Sequence, residues 1–354
     1  SKHGPWEEVL EFSAAVPMPS GLSSTEILIK VRAASINPVD KVLMEGGLAQ
    51  LKPCKGAFHV ASYDASGIVE EADQAGTYQK GDAVVVRLFG PGLSVEPKVQ
   101  YFRGSMAEYC VADVSNVVRK PDNLSHEEAA SIPLAGMTAV QVIDLCTETK
   151  DPKIFISGGA GGVGSIAIQY AKSKGFHVTT TASPGEKTEL CTALGADMVI
   201  DYKSNKFEAM DELKDQFDLC FDCTGESGKM IELVKCGGRI VTINAHESGI
   251  TFECLADILE RNGKSAGCLL KCFVKSKLKF TQYKEAEKKG ADWDFIFLHP
   301  SKDDLQRLMD LTADGQMKAV IDQVWDSKDW KDAYTRQFSG RSKGKCVVRW
   351  SSDE

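Results

Sequence analysis

Residues 153–175 read KIFISGGAGGVGSIAIQYAKSKG: a strand, a glycine turn and a helix in that order. Ile154, Phe155 and Ile156 form the short apolar run that a parallel strand covered on both faces requires, and the run stops at Ser157, where the glycines begin. Gly159, Gly161 and Gly164 fit G-x-G-x-x-G. Beyond them Val163, Ile166, Ala167, Tyr170, Ala171 and Lys174 recur at helical spacing, so one face of a helix lies on the sheet and its N-terminus faces a phosphate. The glycines permit a tight turn, approach of the backbone to a pyrophosphate, and close packing of helix on strand. Gly159, Ala160, Gly161, Gly162, Val163 and Gly164 are therefore the candidate cradle for a dinucleotide. A second strand, 176–182 (FHVTTTA), follows at once and completes a strand-helix-strand unit of about 30 residues. A P-loop is excluded, because Ser165 and Ile166 stand where that motif needs Lys and Ser or Thr.

The end of the second strand bears on the choice of cofactor, since an NAD site presents an Asp or Glu there to hold the ribose hydroxyls. This strand runs out through Thr181, Ala182 and Ser183, the first acid after Gly164 is Glu186, and Lys187 comes next. A hydroxyl at Ser183 and an ammonium at Lys187 suit a 2′-phosphate, which a carboxylate would repel; the expectation is NADPH. The bland alternative makes Lys187 a solvated charge on the next helix.

With 354 residues the chain exceeds what one core serves, so two domains are expected. A net charge of −8 with no basic block gives no nucleic-acid or membrane-surface footprint, and no apolar run approaches the ~18 residues of a membrane span. Eleven cysteines scattered without a disulfide rhythm fit buried thiols in a reducing compartment. With no signal-peptide core at the start, a cytoplasmic location is expected.

Residues 26–33 (EILIKVRA) alternate as a half-buried strand, and Pro38 ends it. Apolar pieces at 66–69, 83–88 and 107–111, separated by glycines, predict a compact, mostly antiparallel, barrel-like domain over 1–130. Ser125 and Glu128 form a capping box, so a short helix starts near His126 and ends by Pro133. Strands and helices then alternate through 217–224 and 237–244, the order of a parallel doubly wound sheet over 131–300. The Lys-rich stretch 271–289 reads as a solvated surface. A helix around Leu305, Leu308, Met309 and Leu311, and strands at 319–324 and 346–350, make 301–354 a return to the first domain. Cys220 and Cys223 are spaced as C-x-x-C, but in a strand such positions face opposite sides, which argues against a redox or metal pair.

With these residues in view, the chain resembles the medium-chain dehydrogenase/reductase superfamily, in its zinc-independent quinone oxidoreductase and enone reductase branch. The resemblance covers nearly the whole chain. It is carried by Ser35-Ile36-Asn37-Pro38-Val39-Asp40, Tyr63-Asp64-Ala65-Ser66-Gly67, Gly104-Ser105-Met106-Ala107-Glu108-Tyr109, the run 129–139 (AASIPLAGMTA), the glycine turn, and Leu194-Gly195-Ala196-Asp197. It implies an α/β protein with a GroES-like, mostly β catalytic domain and a Rossmann domain. Zinc-dependent relatives place a Cys and a His-Glu pair where this chain has Asn37 and Tyr63-Asp64, and they carry a four-cysteine zinc lobe that it lacks. No metal is therefore expected. The resemblance puts Asn37 and Asp40 beside nicotinamide and substrate, Thr138 near the cofactor, and Tyr202 near the adenosine phosphate with Ser183 and Lys187. Asn244, at the end of 237–244, is counted with the cofactor contacts. Without the family, Asn37-Pro38 reads as a turn that ends a strand. Relatives often carry a Tyr soon after the Asp40 position, whereas 42–51 (VLMEGGLAQL) has none, so the proton donor is open.

The resulting expectation is an NADPH-dependent reductase that sends hydride to a quinone or to the activated double bond of an α,β-unsaturated carbonyl, with an Asn amide or backbone N–H polarising the carbonyl. The alternatives are a zinc-independent alcohol dehydrogenase and a non-catalytic NADPH-binding protein. Pocket loops are expected at 45–62 and 89–102. The alternating stretch 292–298 (DWDFIFL) reads as an edge strand and points to a homodimer.

Overall fold

The computed structural model describes residues 3–14, 16, 18–45, 60–88, 104–146, 150–244, 281–296 and 298–350. The first five strands are β1 (Glu26–Ile36), β2 (Asp64–Glu71), β3 (Ala83–Arg87), β4 (Tyr109–Asp113) and β5 (Val117–Arg119). Then come β6 (Lys153–Ile156), β7 (His177–Ala182), β8 (Met198–Asp201), β9 (Phe217–Asp222), β10 (Val234–Thr242) and β11 (Asp292–Phe295), followed by β12 (Ile321–Asp326) and β13 (Lys345–Arg349). The described α-helices are α1 (Trp6–Val9), α2 (Pro38–Met44), α3 (His126–Ala130), α4 (Pro133–Ile143), α5 (Gly162–Ser173), α6 (Glu186–Ala193), α7 (Thr281–Lys289), α8 (Lys302–Ala313) and α9 (Trp330–Phe338). Two compact units result, Ser1–Met137 with Pro300–Glu354, and Thr138–His299. The first division, read from the sequence at 130/131, falls inside α4, where the helical pattern continues without a break in composition.

The first unit is a seven-stranded sheet in the order β12-β13-β1-β2-β3-β5, with β4 also paired to β1. Its pairings are antiparallel apart from the parallel β12–β13. At its centre β1 buries Ile27, Ile29, Val31, Ala34 and Ile36. It runs past Ala33, where the sequence pattern stops, because Ala33 to Ile36 pair with Arg349 to Cys346 of β13. Pro38 does more than end that strand: it is the first residue of α2, a position that suits its fixed φ and missing N–H. The capping box at α3 forms as expected, with Glu128 N donating to Ser125 Oγ at 3.1 Å and Ser125 N donating to Glu128 Oε2 at 2.9 Å.

The second unit is a six-stranded parallel sheet in the order β11-β10-β9-β6-β7-β8. The direction of winding reverses between β6 and β9, the switch point beyond which open α/β sheets hold ligands. Phe155 of β6 anchors the core on one face, its ring 5.0 Å from that of Phe207 and 5.5 Å from that of Phe217. Both halves of the expected α/β fold, a mostly antiparallel β unit and a doubly wound parallel sheet, are present. Cys220 in β9 is buried and Cys223, just past the strand, is half-buried; both are free thiols. Of the Lys-rich stretch, 281–289 form α7, while 271–280 lie outside the described residues, as do most of 45–62 and all of 89–102.

Candidate functional site

The glycine turn begins one residue before its motif. Gly158 takes φ 67°, a left-handed conformation that carries the chain off β6, and sequence reading missed it by starting the cradle at Gly159. A Cβ on Gly159 would stand 2.3 Å from Thr180 Oγ1, and one on Gly164 would stand 2.4 Å from Gly158 O, so neither position accepts a side chain. Gly158 N donates to Thr181 Oγ1 and Gly159 N to Thr181 O, both at 3.0 Å, which pins the turn to β7. With Gly161 as N-cap, the N–H groups of Gly162, Val163 and Gly164 occupy the first turn of α5, where helical geometry gives them no partner inside the helix. Ala160 and Gly164 are buried, whereas Gly161, Gly162 and Val163 are half-buried.

Ser183 follows β7 and Tyr202 follows β8, and the register brings those strand ends side by side. Ala182 lies opposite Asp201, and Tyr202 N donates to Ala182 O at 3.4 Å. Tyr202 is 52% exposed. Lys187 lies in the first turn of α6, half-buried, and Thr188 Oγ1 donates to Ser183 O at 3.1 Å. Asp201 points its carboxylate at its own loop, accepting from Lys203 N at 2.9 Å and Ser204 Oγ at 2.7 Å. Thr138 is buried on α4. Asn244, past the end of β10, donates its backbone N–H to Thr242 Oγ1 at 3.1 Å.

Asp222, the last residue of β9, was not singled out in the sequence. Its Oδ1 accepts from Ser157 Oγ at 3.1 Å and from the backbone N–H groups of Thr224, Gly225 and Glu226 at 3.1, 2.9 and 3.0 Å, while Oδ2 accepts from Thr242 Oγ1 at 2.8 Å. One buried carboxylate thus ties the ends of β6, β9 and β10 together beside the glycine turn. The signal was available: an acid closing an otherwise apolar strand needs buried donors.

In the first unit Asn37 and Asp40 sit in a buried polar cluster. Asn37 Nδ2 donates to Asp64 Oδ2 at 2.9 Å and makes a longer contact, 3.5 Å, with Ser35 O. Its Oδ1 accepts from the ammonium of Lys345. Asp64 also accepts from Ser35 Oγ at 3.2 Å and from Leu134 N at 3.1 Å. Asp40 Oδ2 accepts from Asn37 N at 2.8 Å and from Ser62 Oγ at 3.3 Å, and its Oδ1 accepts from Ser62 N at 3.2 Å. Ser62 adopts φ 62°, unusual for a residue with a side chain, and its hydroxyl lies 2.9 Å from that of Tyr334. Burial pushes the Asp40 acid up to about 7, although the Asn37 N–H and the Lys345 charge pull it down. Burial likewise raises Asp64 against the pull of Lys345, and it lowers Lys345 against the pull of both acids. Among the described residues no group of three or more His, Cys, Asp or Glu is arranged to hold a metal ion.

Two family models match the chain: an alcohol dehydrogenase GroES-like domain at residues 23–122 and a zinc-binding dehydrogenase at 194–348. The mitochondrial NAD(P)H oxidoreductase RTN4IP1 of Homo sapiens is 30% identical over 370 residues, covering 96% of this chain and 86% of that protein. The chain belongs to the medium-chain dehydrogenase/reductase superfamily. Within that superfamily it falls in the quinone oxidoreductase and enone reductase branch. The chloroplastic NADPH-dependent alkenal/one oxidoreductase of Arabidopsis thaliana is 34% identical over 240 residues, 67% of this chain, and the match spans 59% of that relative's length. The solved quinone oxidoreductase of Coxiella burnetii superposes with a TM-score of 0.76 at 26% identity, covering 98% of this chain and 96% of the other. The turn has the properties a dinucleotide of this superfamily requires: glycines that exclude side chains and a helix N-terminus behind them.

Proposed function

We propose that this chain is an NADPH-dependent oxidoreductase that reduces quinones or the activated double bond of α,β-unsaturated carbonyl compounds without a metal. The observation that carries the reading is the glycine turn at the switch point, followed by a β7 end that has Ser183 and Lys187 in place of an acid. When bound, NADPH supplies a hydride. The residues assigned to it are Gly159, Ala160, Gly161, Gly162, Val163 and Gly164 at the pyrophosphate, Ser183, Lys187 and Tyr202 at the 2′-phosphate, and Thr138 and Asn244 elsewhere along the cofactor.

Asn37 and Asp40 are assigned to the acceptor. The Asn37 N–H that faces Ser35 O, with Nδ2 3.5 Å from that oxygen, is weakly held, so a substrate carbonyl oxygen displaces that contact at small cost and gains a donor where negative charge develops. Asp40, with its acid near neutrality, is suited to hold and release the proton that completes the reduction. Metal independence is supported by the donor set: Lys345 lies 3.8 Å from Asp64, and an ammonium there opposes a second cation. Elemental analysis showing about one zinc per chain, lost together with activity, overturns that part.

For assembly we propose a homodimer joined at β11, the edge of the parallel sheet among the described residues. For location we propose the cytoplasm, supported by the free thiols of all the described cysteines. Among the described residues no helix is long and apolar enough to cross a membrane. The human and Arabidopsis relatives are named for the mitochondrion and the chloroplast, so subcellular fractionation is the deciding measurement. The function itself is tested by following NADPH oxidation with a panel of quinones and enones. Turnover with at least one class is expected, and tight NADPH binding without turnover on any of them favours a non-catalytic binder.

A further inference from the structure

The side-chain amide of Asn37 has two ends of the same shape, and what surrounds it decides which is oxygen and which is nitrogen. An ammonium can only donate, so the atom meeting Lys345 Nζ is Oδ1; an ionised carboxylate can only accept, so the atom 2.9 Å from Asp64 Oδ2 is Nδ2. The two determinants come from distant elements, Lys345 from the first position of β13 and Asp64 from the first position of β2. Lys345 is itself held. Its ammonium also donates to Ile36 O at 2.9 Å, and the residue is 4% exposed. Before it, Gly344 at φ 74° brings the chain so close to the start of β12 that a Cβ would stand 2.1 Å from Val320 O.

We infer that Lys345 is a positioning residue for the reduction, fixing the Asn37 amide so that its weakly held N–H is offered to the acceptor's carbonyl oxygen. This role presupposes the reductase reading above. Without the ammonium, the amide loses the donor that holds its oxygen away from the acceptor and is oriented by Asp64 alone of the two charges, and in the rotated amide the oxygen would confront an enolate oxygen as charge develops there. The C-terminal strand thereby contributes to chemistry centred on residues near the other end of the chain.

Two substitutions test this. Lys345→Met removes the donor while keeping a long apolar side chain, and Lys345→Arg keeps a donor. For Lys345→Met, kcat is expected to fall about ten- to a hundredfold, the value of a charge-assisted hydrogen bond, while NADPH affinity and the KM for the acceptor change little. Lys345→Arg is expected to recover part of the loss. The pH profile supplies a readout that a purely structural role does not move. Asp40 is faced by Lys345 of β13, Asp64 of β2, Ser62 and Tyr63 of the preceding loop, and Tyr334 of α9. Lys345 is the cation among them that favours the carboxylate form, so its loss shifts the inflection of kcat to higher pH.

If Lys345→Met does not fold, Lys345→Met/Asp64→Asn removes both buried charges, and a folded protein with kcat still depressed is expected. Wild-type kcat with an unmoved pH profile, in any folded variant that lacks the ammonium, overturns the role of Lys345. Failure of the wild-type protein to turn over any quinone or enone overturns the reductase reading instead.

Discussion

At the scale of single side chains, the proposed function places its sharpest expectations on Lys187 and Asp40. A charge-assisted hydrogen bond to a 2′-phosphate is worth roughly 1.5 to 3 kcal/mol, so Lys187→Ala is expected to weaken NADPH about ten- to a hundredfold and to leave NADH unchanged. Titration of both cofactors checks this, and equal losses would reassign Lys187 to the fold or the pyrophosphate. Asp40 carries a pH prediction. Its acid stands at about 7 in the folded chain against 3.8 ordinarily, so the folded state binds the extra proton between those values. Stability is therefore highest, as far as Asp40 is concerned, below pH 4, falls as pH rises, and levels off above pH 7, by at most roughly 4 kcal/mol. Denaturation of the wild type and Asp40→Asn at several pH values checks it: the variant is expected to lose that slope, and an unchanged slope contradicts the assignment. Asn37 and Asp40 were legible through their motif, but their surroundings were not. Lys345 meets Asn37 across 308 positions of sequence, and no local pattern announces such a pairing.

At the scale of elements, the strand-turn-helix from β6 to α5 was legible because its causes are local: an apolar run, glycines at fixed spacing, then a 3.6-residue period. The length of β1 was not, because its last four residues are held by β13, a strand more than 300 positions away, rather than by their own alternation. Pro38 showed only half of its role, since a proline closes a strand and opens a helix equally well. The turn also yields a prediction. A methyl group on Gly164 has to enter space occupied by the Gly158 carbonyl, 2.4 Å away, and backbone cannot step aside as a flexible side chain does. Gly164→Ala is expected to lower thermal stability and to weaken NADPH and NADH alike, in contrast to Lys187→Ala. Calorimetry with titration of both cofactors reads the difference, and unaltered binding in the variant contradicts the close packing.

For the whole molecule, length and the change in pattern after the capping box at Ser125 lead to an expected division at 130/131, and the described chain clusters into two compact units that part inside α4, where no local break in composition marks the place. Assembly through β11 is a further consequence at this scale: an edge strand exposes unpaired backbone groups, and pairing with a second copy satisfies them. Sedimentation is expected to give a dimer, and a monomer at micromolar concentration contradicts it. The central claim is the direction of hydride delivery, and it is tested most directly by supplying NADPH deuterated at C4 together with an α,β-unsaturated ketone and locating the label in the product. One deuterium at the β-carbon of a saturated ketone is the predicted result; deuterium at the carbonyl carbon of an allylic alcohol would contradict it.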